Sequence, residues 1–203
     1  LNTSDIAFLA AEKAIQNSKI NPETIDYIIL AHNFGNVSNH SNQIDVFPSL
    51  AVRVKNLLKI KNPKCVAYDI LFGCPGWLEG MIQGYSFIKS GMAKKCLIIG
   101  ADTLSRVVDK SDRDSMIFAD GAGATIIEKT KESGGILSHN TASYTDDEVF
   151  YLYFGKSYKD RIIDNRLSTR LAKEKIWAVK KSLNAREEAK EIVKRHASMK
   201  RGR

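Results

Sequence analysis

Residues 65–77, with the sequence CVAYDILFGCPGW, pass from an apolar run of strand length into residues that open a helix. The run over residues 65–71 is short and is followed by Gly73, as expected of a buried strand. Pro75 suits the first helical position, because its fixed φ matches a helix and its missing N–H would be unpaired there anyway. We therefore predict a buried strand, a tight connection at Cys74, and a helix that ends near Gly91.

Two further apolar runs, over residues 25–31 and 96–101, have a similar length and character. Helical patterns separate the runs, one capped by Ser4 and Asp5 and one with Pro48 in its first turn. The order strand, helix, strand, helix, strand predicts parallel pairing with helices on both faces of a sheet. Two more strands are expected, over residues 121–128 and from Gly135 onward. The predicted fold class is α/β.

Glycine occurs at every fourth position of the helix that follows residue 74, at Gly76, Gly80 and Gly84. Residues four apart lie on one face of a helix, and each internal glycine costs about 1 kcal/mol relative to alanine. Such a face indicates a buried central helix packed very closely against another backbone. Gly121 and Gly123 precede a strand rather than a helix, which argues against a dinucleotide-binding loop and favours a tight turn with close packing.

The composition is that of a globular protein, since 43% of the 203 residues are hydrophobic and 27% are charged. No apolar run approaches the roughly eighteen residues of a membrane span, and the first residues lack an export signal. No membrane span is therefore predicted, and a cytoplasmic location is expected. Three cysteines without a C-x-x-C pair argue against a disulfide framework or a structural zinc site, so we expect free thiols and no bound metal.

The net charge of +8 is concentrated at one end of the chain. Residues 1–155 contain 15 Lys and Arg against 17 Asp and Glu, whereas residues 156–203 contain 16 against 6. We predict two domains, residues 1–158 with the α/β pattern and residues 159–203 as a basic helical tail. The tail helix is expected from Leu171 onward, with one imperfect apolar face. That face contains Ile176, Val179, Leu183, Ala189, Ile192 and Val193.

Several functions fit a basic helical tail. It can be a solvated helix, or it can bind an acidic protein, nucleic acid or an anionic membrane. Nucleic acid is not the expected partner, because the basic excess lies outside the α/β region. A nucleic-acid-binding function would require the tail to act independently of that region.

Cys74 is the candidate for chemistry. At the junction between a strand and a helix, a cysteine lies among unpaired backbone N–H groups near the positive end of the helix dipole, which favours the thiolate. Gly73 and Gly76 allow a substrate carbonyl to approach the backbone, and the N–H of Cys74 can donate to an oxyanion. The alternative is an inert buried cysteine, which is the interpretation we give to Cys65 and Cys96 in their strands.

Six blocks of sequence resemble the β-ketoacyl-acyl-carrier-protein synthase III family of the thiolase superfamily. They are FPS at residues 47–49, YDI at 68–70 with GCPG at 73–76, KSG at 89–91, GAD at 100–102, DR at 112–113 and FADGAGA at 118–124. The order and spacing of the blocks over about residues 1–155 are more specific than any one of them. The resemblance implies a thiolase-like layered fold, with a mixed sheet and a buried central helix.

The resemblance also implies a two-step reaction. Cys74 would accept an acyl group from acyl-coenzyme A and pass it to the carbanion formed by decarboxylation of malonyl-acyl carrier protein, in fatty acid, related lipid or polyketide synthesis. Coenzyme A thioester would be a substrate, with no permanently bound cofactor, and acyl carrier protein and a second copy of the chain would be partners.

Three further residues match family positions. Arg113 matches an arginine that stacks on the coenzyme A adenine, with a solvated loop charge as the alternative. Phe47 matches an aromatic residue that crosses a homodimer interface into the partner's acyl pocket. Phe118 matches a residue that lines the pocket. For both phenylalanines the alternative is ordinary core packing.

The chain also departs from the family pattern. Pro75 replaces a small residue and removes one backbone donor, and the family's first strand and a tryptophan that contacts coenzyme A have no counterpart here. The family's His-Gln-Ala-Asn motif is absent, and His196 lacks its context. We therefore expect acylation without condensation by this chain alone. The rival hypothesis is a non-catalytic thiolase-fold partner that binds acyl carrier protein or a sister subunit.

Overall fold

The computed structural model describes residues 1–38, 43–109, 112–131, 135–146 and 165–182, together with Glu187, except for the side chains of residues 113, 114 and 165–168. The chain forms two compact units, Leu1–Lys156 and Ser157–Arg203. Several predicted tail positions lie outside the described residues, namely Leu183, Ala189, Ile192, Val193 and His196.

The first unit is built on a mixed four-stranded sheet. Its strands are β1 (Tyr27–His32), β4 (Val66–Leu71), β5 (Lys95–Thr103) and β6 (Asp120–Glu128), and a separate hairpin pairs β2 (Asn36–Val37) with β3 (Ile44–Asp45). The order in the sheet is β4–β1–β5–β6. β1 pairs in parallel with β4 and β5, and β6 runs antiparallel to β5. The predicted α/β class and parallel pairing are therefore confirmed.

Two predictions about the glycine-rich segments are wrong. The strand expected from Gly135 onward is not formed, and Leu137 is 92% exposed on irregular chain, where no strand pairs with it. Gly121 and Gly123 lie within β6 and not in a turn, and a Cβ atom built on either would meet nothing within 4 Å. Close packing therefore does not explain these two glycines.

Three helices cover the sheet, α1 (Thr3–Ser18), α2 (Leu50–Leu57) and α3 (Gly76–Lys89). The caps differ slightly from those expected. Asn2 caps α1, and the Asp5 carboxylate accepts the Asn2 backbone N–H at 2.7 Å. Ser49 caps α2 by accepting the Val52 N–H at 3.3 Å, which places Pro48 ahead of the helix. Polar side chains that reach the unpaired N–H groups thus decide where these helices begin.

The alternating residues of β1 face two hydrophobic layers. Ile28 and Leu30 pack with α1 and α2 on one face of the sheet, whereas Ile29 packs with α3 on the other. Because successive side chains of a strand point to opposite faces, a continuous apolar run is needed where both faces are covered. This explains why residues 25–31 show no polar alternation.

The glycine face of α3 is pressed against the sheet. A Cβ atom at Gly80 would lie 2.9 Å from Cγ2 of Ile98, and one at Gly84 would lie 2.9 Å from Cδ1 of Ile127. The predicted close packing is confirmed, and the contacts are with side chains of the sheet. On the opposite side of the helix, Leu78 is 57% exposed.

We expect Gly80→Ala to destabilise the first unit. The added methyl overlaps a branched carbon close to the backbone of Ile98, so the free energy of unfolding should fall by about 1–3 kcal/mol. Gly123→Ala is the matched control, because its methyl would enter open space. Urea unfolding measures both, and equal stabilities would show that α3 can move away from the sheet at little cost.

The second unit contains α4 (Asn165–Lys181), which begins ahead of the predicted start at Leu171. Residues 165–170 contain neither Gly nor Pro, so nothing in them interrupts the helix. Ile176 and Val179, predicted to share an apolar face, are both exposed. Among the described residues, no helix combines the length and apolar character needed to cross a bilayer.

Candidate active site

Cys74 lies in a four-residue turn between β4 and α3. The turn is closed by the Gly76 N–H, which donates to the Gly73 carbonyl at 2.8 Å. A Cβ atom at Gly76 would lie 2.9 Å from Cβ of Ala31, so only glycine lets α3 begin this close to β1. Cys74 is exposed. Pro75, predicted to be the first helical residue, is the N-cap instead, so the helix begins one residue later, at Gly76.

The Cys74 side of this turn opens onto a cleft of about 320 Å³. The cleft lies at the carboxyl ends of the parallel strands β1 and β5, where loops from neighbouring strands converge. Its lining is mainly apolar and includes Ala31, Phe72, Trp77, Leu104, Ile117 and Phe118. Cys74 and Phe118, far apart in sequence, therefore share one cavity.

Asn33 and Asp102 form a polar part of the same cleft. The Asp102 carboxylate accepts the Asn33 backbone N–H at 2.9 Å and its side-chain Nδ2 at 2.7 Å. The pair joins the loop after β1 to the end of β5 and fixes the orientation of the Asn33 amide. This pair was not predicted from the sequence, although polar residues that follow two strands of one parallel sheet are a usable signal.

His32 and Asp69 tie the other side of β1 to β4. His32 Nδ1 accepts the Gly35 N–H at 2.9 Å, so Nδ1 carries no proton, and the neutral ring donates from Nε2 to Asp69 at 3.2 Å. The Asp69 carboxylate also accepts the Leu50 and Ala51 backbone N–H groups, each at 2.7 Å. This network anchors the start of α2 to the strand that leads to Cys74. It was not predicted from the sequence.

The three cysteines have different environments. Cys65 and Cys96 are buried, as predicted, and desolvation raises the pKa of both thiols, that of Cys96 to about 12. Cys74 is exposed at the cleft. Because the thiolate is the reactive form, the two buried thiols are unsuited to attack a substrate, whereas Cys74 is accessible to one.

The other predicted site residues lie in different places. Phe118 lines the cleft, as described above. Phe47 is 91% exposed and does not line the cleft of its own chain. Arg113 begins a short 3-10 helix (Arg113–Ile117), but its side chain is outside the described part of the structure. The roles of these residues therefore stay predictions.

The fold and the cleft together define the class of protein. A mixed sheet with helices on both faces, and a cysteine in the turn before a closely packed helix, is the thiolase-like arrangement. A solved structure of the same class, 3-oxoacyl-[acyl-carrier-protein] synthase III from Aquifex aeolicus, matches with a TM-score of 0.55 and 36% identity. The match covers 64% of this chain and 39% of that one.

Sequence comparisons identify the family. Residues 68–145 match the family model described as 3-oxoacyl-[acyl-carrier-protein (ACP)] synthase III. Beta-ketoacyl-[acyl-carrier-protein] synthase III of Staphylococcus haemolyticus is 36% identical over 168 residues, which is 81% of this chain and 50% of the relative. The protein of the same name from Erythrobacter litoralis is 38% identical over 160 residues, which is 76% of this chain and 47% of the relative. The chain thus belongs to the 3-oxoacyl-acyl-carrier-protein synthase III family, and it spans about half the length of these relatives.

Proposed function

We propose that Cys74 is the acyl acceptor of a 3-oxoacyl-acyl-carrier-protein synthase III-like reaction. The observation that carries the proposal is an exposed thiol, in the turn before α3, at a mainly apolar cleft. The Cys74 thiolate attacks the carbonyl carbon of acyl-coenzyme A, a new carbon–sulfur bond forms, and the coenzyme A thiolate leaves and takes up a proton. The acyl group is then held as a thioester on the protein.

The cleft supports this proposal by its size and lining. Phe118, with Leu104 and Ile117, presents an apolar wall suited to a short acyl chain. Arg113 would contact the adenine of coenzyme A, and Phe47 would enter the cleft of a second copy of the chain. The proposed partners are acyl-coenzyme A, acyl carrier protein and a second copy of the chain in a homodimer. The proposed location is the cytoplasm, and the proposed role is fatty acid or related synthesis.

The second step, condensation with malonyl-acyl carrier protein, is not proposed for this chain alone. That step needs hydrogen-bond donors that stabilise an enolate next to the acylated cysteine. Both ring nitrogens of His32 are engaged, with Asp69 and with Gly35, and His139 lies against the ring of Tyr85. In the described part of the chain, neither imidazole lines the Cys74 cleft.

Intact-mass analysis after incubation with acetyl-coenzyme A tests the proposal. We expect the mass of one acetyl group to be added, and peptide mapping to place it on Cys74. Malonyl-acyl carrier protein added afterwards should yield no condensation product. A folded protein without any adduct, or an adduct on Cys65 or Cys96, would contradict the proposal.

A second candidate function is that of a non-catalytic thiolase-fold partner. It is favoured because both ring nitrogens of His32 already have hydrogen-bond partners within the chain. Such a protein would use the same fold to bind acyl carrier protein or a sister subunit, and its cysteine would not be acylated. Retention of acyl carrier protein by the chain, in the absence of any acetyl adduct on Cys74, would favour this candidate over the first.

A further inference from the structure

Phe47 is an exposed aromatic side chain on a short loop between β3 and α2. Its exposed fraction is 91%, and Ile44 and Val46 beside it are partly exposed as well. An aromatic residue left in water gains no burial energy within its own chain. Exposed aromatic residues are also typical anchors of protein interfaces.

Arg53 of α2 holds this loop with four guanidinium hydrogen bonds. Nε donates to the Pro48 carbonyl at 2.9 Å, and Nη2 donates to the Phe47 carbonyl at 2.9 Å. The Asp45 carboxylate accepts from Nη1 at 2.9 Å and from Nη2 at 2.6 Å. The same contact lowers the pKa of Asp45. One side chain thus binds the loop before, at and after Phe47, and Arg53 is itself only 21% exposed.

The two ends of the loop are held independently of Arg53. A Cβ atom at Gly35, where φ is +70°, would lie 2.5 Å from Cγ1 of Val46, so Val46 packs directly on Gly35. At the other end, Asp69 accepts the N–H groups of Leu50 and Ala51. The ends are therefore tied to the connection between β1 and β2 and to β4, and the contacts of Arg53 act on the segment between them that carries Phe47.

We propose that Arg53 is a positioning residue that holds the Phe47 loop in one conformation, so that Phe47 is a preformed anchor for a second copy of this chain. The inference rests on the proposed function, in which Phe47 enters the partner's cleft. Binding is tighter when a contacting loop is already ordered, because less conformational entropy is lost on association. The planar fork of arginine binds a carboxylate through two nitrogens and two carbonyls at once, a fixed geometry that the flexible ammonium of lysine does not reproduce.

A double-mutant cycle on the full chain tests this inference. The variants are Phe47→Ala, Arg53→Met and the double variant, with Arg53→Lys and Asp45→Asn as gentler changes to the same contacts. Sedimentation equilibrium gives the dissociation constant of the dimer, and amide hydrogen exchange at low protein concentration reports the order of residues 44–49 in the monomer. Urea unfolding of the same samples shows that each variant is folded.

We expect Phe47→Ala to raise the dimer dissociation constant by about thirtyfold or more, as for an anchor residue. Arg53→Met should raise it by about tenfold and accelerate exchange over residues 44–49, because the loop must then be ordered on binding. In the Phe47→Ala background, Arg53→Met should have no further effect on the dissociation constant. If Arg53→Met does not fold, Arg53→Lys and Asp45→Asn should show the same pattern with smaller changes.

Three results would overturn the inference. Equal effects of Arg53→Met with and without Phe47 would show a general structural role, and an unchanged dissociation constant with faster loop exchange would show that loop order is irrelevant to association. If Phe47→Ala weakens the dimer but the Arg53 variants do not, the inference fails while the proposed role of Phe47 stands. A chain that is monomeric at every concentration would refute both the inference about Arg53 and the proposed role of Phe47. Acylation of Cys74 is measured separately, so that result would leave the proposed role of Cys74 untouched.

Discussion

Cys74→Ala should abolish acylation of the protein by acyl-coenzyme A. In the proposed mechanism the substitution removes the sulfur that forms the new bond, and loss of a nucleophile in a covalent mechanism lowers the rate by at least about a thousandfold. The fold should be retained, because Cys74 is exposed and its side chain fills no part of the core. The rate of adduct formation by intact mass, over a range of acetyl-coenzyme A concentrations, measures the effect.

Cys65→Ala is the matched control, since it also removes one of the three thiols. Cys65 is buried and its pKa is raised by desolvation, so its loss should leave the rate of acylation unchanged. Iodoacetamide should label native protein at Cys74 alone. A thiol with a pKa of about 12, such as Cys96, is only about one part in 10⁴ thiolate at pH 8. Acylation that persists in Cys74→Ala, or disappears in Cys65→Ala, would remove Cys74 from the mechanism.

Asp69→Ala should cause the largest loss of stability among single substitutions near the site. The carboxylate is 14% exposed and accepts three hydrogen bonds, from two backbone N–H groups of α2 and from His32. Its removal leaves these donors without a partner in a largely buried position. Leaving a buried donor unpaired costs about 1–3 kcal/mol, so the loss of all three contacts should lower the free energy of unfolding by at least about 3 kcal/mol. Urea or thermal unfolding measures the change.

Glu23→Ala is the control for this second prediction. Glu23 also accepts two backbone N–H groups, those of Lys61 at 2.9 Å and Asn62 at 2.8 Å, but it lies at an exposed position. Water can replace the lost carboxylate there, so the loss of stability should be clearly smaller than for Asp69→Ala. Equal losses in the two variants would mean that the Asp69 network is no more protected from solvent than the Glu23 contact.

The elements of the sheet and its helices were predictable because each one has a local signal. Apolar runs of strand length marked β1, β4 and β5, and the glycine face of α3 indicated its close packing before any contact was known. Cap positions were less predictable, since Asn2 and Ser49 are the caps, whereas Ser4 and Asp5 were expected to cap the first helix and Pro48 to lie in the first turn of the second. The strand expected from Gly135 onward failed because a strand also needs a neighbour to pair with, which a local pattern does not reveal.

Within the candidate site, only residues with a distinctive local context were found in advance. Cys74 lies between a strand and a helix, and Phe118 lies in a block that resembles a known family. Asn33 and Asp102, which are in contact, are separated by 69 positions in the sequence. His32 and Asp69, which are also in contact, are separated by 37 positions. Local patterns alone do not identify either pair, because each contact depends on which strands are neighbours in the sheet.

The amino-acid sequence by itself determined the four strands of the main sheet and the three helices that cover it, the three free thiols and the placement of the basic excess outside the α/β region, since these follow from local composition and periodicity. Tertiary structure alone decided which thiol is accessible, which carboxylates are held by which donors, and how the Phe47 loop is anchored. Burial and hydrogen bonding between distant residues arise only when the parallel strands bring their carboxyl ends to one edge of the sheet. That edge is where Cys74, Asn33 and Phe118 meet.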